Sequence, residues 1–176
     1  KTKTLRVTVR QSTPTTPGQT TKKPLHIPLA IGLLNDKGNE IMPTRILSVK
    51  KAREEFVFRN IASRPVLSLL RDFSAPVRLV YPYTDNELLF LLAHDTDPFN
   101  RWEASVKLLT KYLLAMAAGE KILADVLTRL TDALRRVLRD TKTDAAFKAM
   151  VLALPSEGEL GLALNAAGQK INPDAL

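Results

Sequence analysis

The hydrophobic period of this 176-residue chain changes near Tyr83. Before that point apolar residues recur at every second position: Leu5, Val7 and Val9, then Leu25, Ile27, Leu29, Ile31 and Leu33. Beyond it they recur every third or fourth: Phe99, Trp102, Val106, Leu109, Leu113 and Met116. A period of two lays one face of a strand against a core, and a period near 3.6 does the same for a helix. One element cannot satisfy both. The expected fold is therefore α+β, with strands first and helices after, in two modules: residues 1–83 and residues 84–176.

Within the first module the second alternating run predicts a half-buried strand, and Asn35–Glu40 (NDKGNE) carries the residues of a tight turn. Ile46–Val49, Phe56–Phe58 and Val77–Tyr81 are further candidate strands. Short strands at this spacing suggest a small β-sandwich. In the second module Asn86–His94 is densely apolar, and the stripe that starts at Phe99 predicts a helix with Arg101, Glu103, Lys107 and Lys111 on its wet side. Ala117-Ala118-Gly119 ends that helix.

Glu120–Asp140 predicts another helix. Ile122, Val126, Leu127, Leu130, Leu134, Val137 and Leu138 point inward, and Asp125/Arg129 and Asp132/Arg136 are paired outside. Thr143–Leu154 predicts a further one, capped by Thr143 and stopped by Pro155. The tail from Ser156 has weak periodicity. The result is three or four antiparallel helices with no closing element, which would leave an apolar face open, as in a truncated stack of helical repeats.

Charge divides the chain in the same place. Residues 1–85 hold 15 Lys and Arg against 6 Asp and Glu, while residues 86–176 hold 11 against 12. All the excess behind the net charge of +8 thus lies in the β module. There is no cysteine, which excludes disulfides, thiolate metal sites and thiol nucleophiles. No apolar run is long enough for a membrane span, and no secretory leader is visible. The first residue is Lys1, within a strand-like pattern, so a piece of a longer chain is expected; processing of a precursor gives the same appearance.

The densest polar constellation is Ala93–Glu103, AHDTDPFNRWE. A metal site here would need His94, Asp95 and Asp97 to converge with a ligand from elsewhere, and the other histidine, His26, lies in the β module. A helix corner accounts for more of the stretch. Asp97 suits an N-cap, Pro98 the first helical turn, and the acidic residues the positive end of the helix.

Two histidines exclude a His-Glu-x-x-His helix, and neither a nucleophile elbow nor a phosphate-cradling glycine loop is present. Glu54 and Glu55, beside Arg53 and Arg59, suit the protection of an exposed strand edge. The basic module raises nucleic-acid binding, but Phe56, Phe58, Phe73, Tyr81 and Tyr83 serve a core as readily as a stacking platform.

Asn60–Ala104 carries a family resemblance. The runs Arg64-Pro65-Val66 to Leu69-Leu70, Phe73-Ser74-Ala75-Pro76-Val77, His94-Asp95 and Phe99-x-Arg101-Trp102 resemble the bacterial aminopeptidase N family of gluzincin-type zinc metallopeptidases. Pro24–Ile41 and Ala145–Leu160 extend the likeness over most of the chain. In such enzymes a β domain and a thermolysin-like catalytic domain precede a small β-sandwich and a large helical domain.

The resemblance maps residues 1–83 onto the Ig-like sandwich and the remainder onto the start of the helical domain. It departs from the family in NAAGQKINPDAL, Asn165–Leu176. The family's zinc ligands and its Gly-x-Met-Glu-Asn motif lie upstream, so no catalytic, cofactor-binding or metal-ligating residue is carried onto this sequence. Zinc is implied for the parent enzyme and none for this segment.

The implied role is a non-catalytic bridge between the catalytic and C-terminal helical domains that helps cover a cavity acting on peptide N-termini, in a cytoplasmic enzyme. The implied partners are those domains of the same parent chain and, for the parent, peptide substrates. Membrane is excluded and nucleic acid disfavoured. Self-association through exposed apolar faces is expected. The alternative is an independent basic β module that binds nucleic acid or a protein.

Overall fold

The computed structural model describes residues 3–170 and 172. The chain forms two compact units, residues 1–80 and 81–176.

In the first unit β1 (Thr4–Arg10) pairs antiparallel with β4 (Arg53–Arg59) as a two-stranded ribbon. β2 (Ile27–Leu34) is the centre of a second sheet, flanked antiparallel by β3 (Glu40–Val49) and β5 (Val66–Leu69). The β2–β3 turn forms where the sequence placed it. Asn35 Oδ1 accepts from the amides of Lys37 and Asn39, and Gly38 takes the left-handed backbone (φ 82°) that a side chain resists. The ribbon is amphipathic: Phe58 is buried and Leu5, Val7, Val9 and Phe56 half-buried, while Arg6, Thr8 and Arg10 are exposed.

Two expectations for this unit need correction. β2 is not half-buried, because every residue from Leu29 to Leu34 is buried and both faces are covered. The second face lies under a tight helical turn at Arg71–Phe73, with the Arg71 side chain over Gly32 and Ser74 Oγ accepting from the Ala30 amide at 3.0 Å. Val77–Tyr81 is not a strand. Its alternation is real, but Pro76 and Pro82 flank it and neither proline can donate to a ladder.

Among its described residues the second unit holds five helices: α1 (Asp85–His94), α2 (Pro98–Ala117), α3 (Ala124–Arg139), α4 (Ala145–Leu152) and α5 (Glu157–Ala166). α1 opens with a capping box in which Thr84 and Glu87 satisfy each other's backbone amides. α2 ends in a Schellman turn. Gly119 (φ 78°) donates to Met116 O and Glu120 to Ala115 O, which ties Glu120 to α2 and delays the start of α3 to Ala124. α4 is capped by Asp144, not Thr143, whose hydroxyl donates to Asp140 Oδ2 at 2.7 Å. α5 was not anticipated, although Ser156-x-x-Glu159 spells a capping box that forms in full. Of the weakly patterned tail, residues 171 and 173–176 lie outside the described residues.

The buried stripe of α2 is rotated by about one residue from expectation. Asn100, Arg101, Ala104, Ser105, Leu108, Leu109 and Tyr112 face inward, while Phe99, Trp102, Val106 and Leu113 are half-buried and Met116 is exposed. The small Ser105 meets α4: its Oγ donates at 2.8 Å to Val151 O, one of the last-turn carbonyls that a helix leaves unpaired. α3 buries Leu130, Ala133 and Val137 but leaves Leu127 and Leu138 exposed. Arg129 donates to Asn86 of α1, and Asp132 pairs with Arg135.

Candidate functional site

The Ala93–Glu103 stretch is a corner between α1 and α2. The Asp95 carboxylate is buried and accepts from the Asp97 amide at 3.0 Å, and Asp97 in turn caps α2 through the Asn100 amide at 2.8 Å. Both carboxylates therefore hold the turn and bend the chain within three residues.

Arg101 fastens the corner from inside. Its Nε donates to Leu92 O at 3.2 Å, and its Nη1 reaches Thr143 Oγ1 at 3.3 Å and Asp140 Oδ2 at 3.4 Å. Its guanidinium also lies 5.8 Å from the Phe147 ring centroid. The Thr143 hydroxyl, then the Lys142 amide and Arg101, hold the Asp140 carboxyl below its usual range. α1, α2 and the α3–α4 loop thus meet at one guanidinium.

His94 stacks on Phe90, ring centroids 4.7 Å apart. Burial, with Arg136 and Arg101 nearby, lowers its pKa and favours the neutral ring. A neutral imidazole can ligate a metal, but zinc needs converging ligands. Among the described residues no group of three or more His, Cys, Asp or Glu side chains is placed to hold an ion. These residues do not fit a zinc centre.

The other residues singled out from sequence are dispersed. His26 is exposed, its Nε2 2.7 Å from Ser48 Oγ. Glu54 and Glu55 pair with neither neighbouring arginine. Glu54 Oε2 accepts from the Lys50 and Lys51 amides, which lowers its pKa, while Glu55 meets Arg6 across the ribbon. Phe58 is core, with Arg45 over its ring at 5.4 Å. Tyr81 and Tyr83 meet edge to face at 4.5 Å, and Phe73 is half exposed on the turn after β5.

Two clusters escaped the sequence reading. Arg71 is 4% exposed; its Nε donates to Ser68 Oγ at 2.9 Å, and its Nη1 bonds Thr44 Oγ1 and pairs with Glu40 Oε1 at 2.8 Å. The turn it anchors is strained, with Leu70, Asp72 and Phe73 all at positive φ. No periodicity announces a buried arginine. The second cluster joins α1 to α2. Asp85 accepts from Lys111 Nζ at 2.6 Å and from the Tyr112 hydroxyl at 2.9 Å. Burial and this carboxylate push the Tyr112 pKa up to about 12, and despite the cost of burial the two donors lower that of Asp85.

Comparisons with known proteins divide along the same lines. Residues 1–82 match the family described as a domain of unknown function (DUF3458) with an Ig-like fold, and residues 85–176 match DUF3458_C, described as ARM repeats. Aminopeptidase N of Escherichia coli is 40% identical over 166 residues, 88% of this chain and 19% of the relative. Aminopeptidase N of Caulobacter vibrioides is 44% identical over 140 residues, 78% of this chain and 16% of the relative.

The crystal structure of Legionella pneumophila aminopeptidase A in complex with aspartic acid superimposes with a TM-score of 0.74 at 31% identity. It covers 98% of this chain and 19% of that one. The chain thus spans about a fifth of the length of these relatives. No helix among the described residues is long and apolar enough to cross a membrane.

Proposed function

Because the chain belongs to the DUF3458 and DUF3458_C families, an Ig-like unit followed by ARM repeats, we propose that it is a non-catalytic segment of a zinc-dependent aminopeptidase N that removes N-terminal residues from peptides. The observation that carries this reading is collinearity. One continuous stretch of aminopeptidase N aligns with both units at 40% identity. The zinc ligands and the peptide-binding groups belong to the parent outside this segment, and the parent is cytoplasmic.

The segment's work is to bridge the catalytic and helical domains and to help enclose the cavity. Enclosure excludes water and internal peptide segments from a hydrolytic centre without supplying a reacting group. Support comes from the second unit. Leu123, Leu154 and Leu162 are 68%, 66% and 69% exposed, as expected of stacked repeats whose neighbours cover them.

The test is to read the gene's frame upstream of the Lys1 codon. The expected result is a coding region with a His-Glu-x-x-His and a downstream Glu. A start codon directly before Lys1 would overturn the proposal.

A further inference from the structure

Five of the first unit's basic residues lie at or beside one end of the β1–β4 ribbon. The C-terminus of β1, the N-terminus of β4 and the loop before β2 are tied together there by Gln11. Its amide donates to Ala52 O at 3.0 Å, and its side-chain Nε2 donates to Leu25 O at 2.8 Å and Lys51 O at 3.3 Å. Its Oε1 accepts from the Leu25 amide at 2.8 Å. Around this knot stand Arg10, Lys23, Lys50, Lys51 and Arg53, all exposed.

Arg10 and Arg53 are direct cross-strand partners, an arrangement that costs stability because like charges face each other. None of the five makes a side-chain ion pair among the described residues. The nearest carboxylate, Glu54, spends one oxygen on the backbone amides of Lys50 and Lys51.

We propose that this end of the Ig-like unit binds the phosphodiester backbone of a nucleic acid, by charge and without reading bases. Two features shape that reading. The cations are spread over three chain segments and so suit an extended polyanion better than a small ion. Phe56 and Phe58 are turned to the inner face of the ribbon, so no aromatic platform for stacked bases accompanies the cations. The proposal is independent of the aminopeptidase reading.

The test is fluorescence anisotropy of the 176-residue chain with a labelled duplex DNA over a salt series. Five phosphate contacts give a slope of log affinity against log salt of about −4.5. The combined variant Arg10→Gln, Lys23→Gln, Lys51→Gln and Arg53→Gln should bind about tenfold or more weakly at low salt, with a slope near −1. A control with the same charge loss in the helical unit, Lys121→Gln, Arg139→Gln, Lys142→Gln and Lys170→Gln, should keep most of the affinity.

Circular dichroism checks that both variants fold, and the slope of the unmodified chain is informative without them. No duplex binding at low salt would overturn the proposal, as would an equal loss in the control. Displacement of the duplex by polyglutamate at matched charge would also overturn it, by assigning the surface to an acidic protein segment.

Discussion

Gly32→Ala should destabilise the first unit through Arg71, not through the strand backbone. A Cβ at position 32 would lie 2.7 Å from Arg71 Cζ and 2.8 Å from Nε and Nη1. Carbon atoms in contact sit at about 3.5–4.0 Å, so the guanidinium must retreat by about 1 Å. That shift takes its bonds to Ser68 Oγ (2.9 Å) and Glu40 Oε1 (2.8 Å) beyond hydrogen-bonding range.

Bonds to a charged group contribute about 1.5–3 kcal/mol each. Glu40 keeps 31% side-chain exposure and regains water, which reduces its share. Replacing glycine in a strand returns about 0.5–1 kcal/mol. The net cost is about 2–3 kcal/mol. In an Arg71→Ala background the added methyl has room, and the same substitution should cost nothing or stabilise slightly.

Urea unfolding followed through the Ile31 and Leu33 amide resonances reports this unit alone. The expected coupling in the double-mutant cycle is about 2–3 kcal/mol. An equal cost of Gly32→Ala in both backgrounds would refute the role of Arg71 and place the effect in the strand itself.

Ser105→Ala should cost about 1–3 kcal/mol in urea unfolding of the helical unit, because Val151 O would be left buried without its donor; a change below about 0.5 kcal/mol would sink that account. Tyr112 is held neutral in the fold. Its stabilisation is complete below the unfolded phenol pKa of about 10 and is lost as pH rises through about 12, a span of at most about 2–3 kcal/mol. Phenolate absorbance should show this tyrosine ionising near 12, and an unchanged alkaline stability profile in Tyr112→Phe would contradict the assignment. The chain should form dimers or larger species in light scattering at high concentration, and Leu154→Glu with Leu162→Glu should return it to monomer; a clean monomer of the unmodified chain counts against the exposed leucines as the cause.

Much of this fold could be read in advance where periodicity carried it. Four of the strands and the α2 and α3 helices follow from spacing alone. Orientation was less legible. Counting hydrophobic residues placed the inward face of α2 on Phe99, Trp102 and Val106, whereas the buried face carries Asn100, Arg101, Ala104 and Ser105, and Ser105 bonds α4.

The corner at Ala93–Glu103 was legible because Asp-Pro at a helix start has one strong physical reading. Arg71 and Arg101 were not. A buried arginine looks like a surface one until its partners are known, and those partners lie up to 42 residues away in sequence.

The β1–β4 ribbon also bears on the order in which the chain gains its structure. Arg6 and Glu55 meet diagonally across it yet stand 49 residues apart, while a helix such as α2 closes its bonds within four or five residues. Closing so long a loop carries an entropic cost that local helix formation escapes. The helices and the β2–β3 hairpin can therefore form early. β1 waits for β4, so within this unit it is among the last strands to find its place.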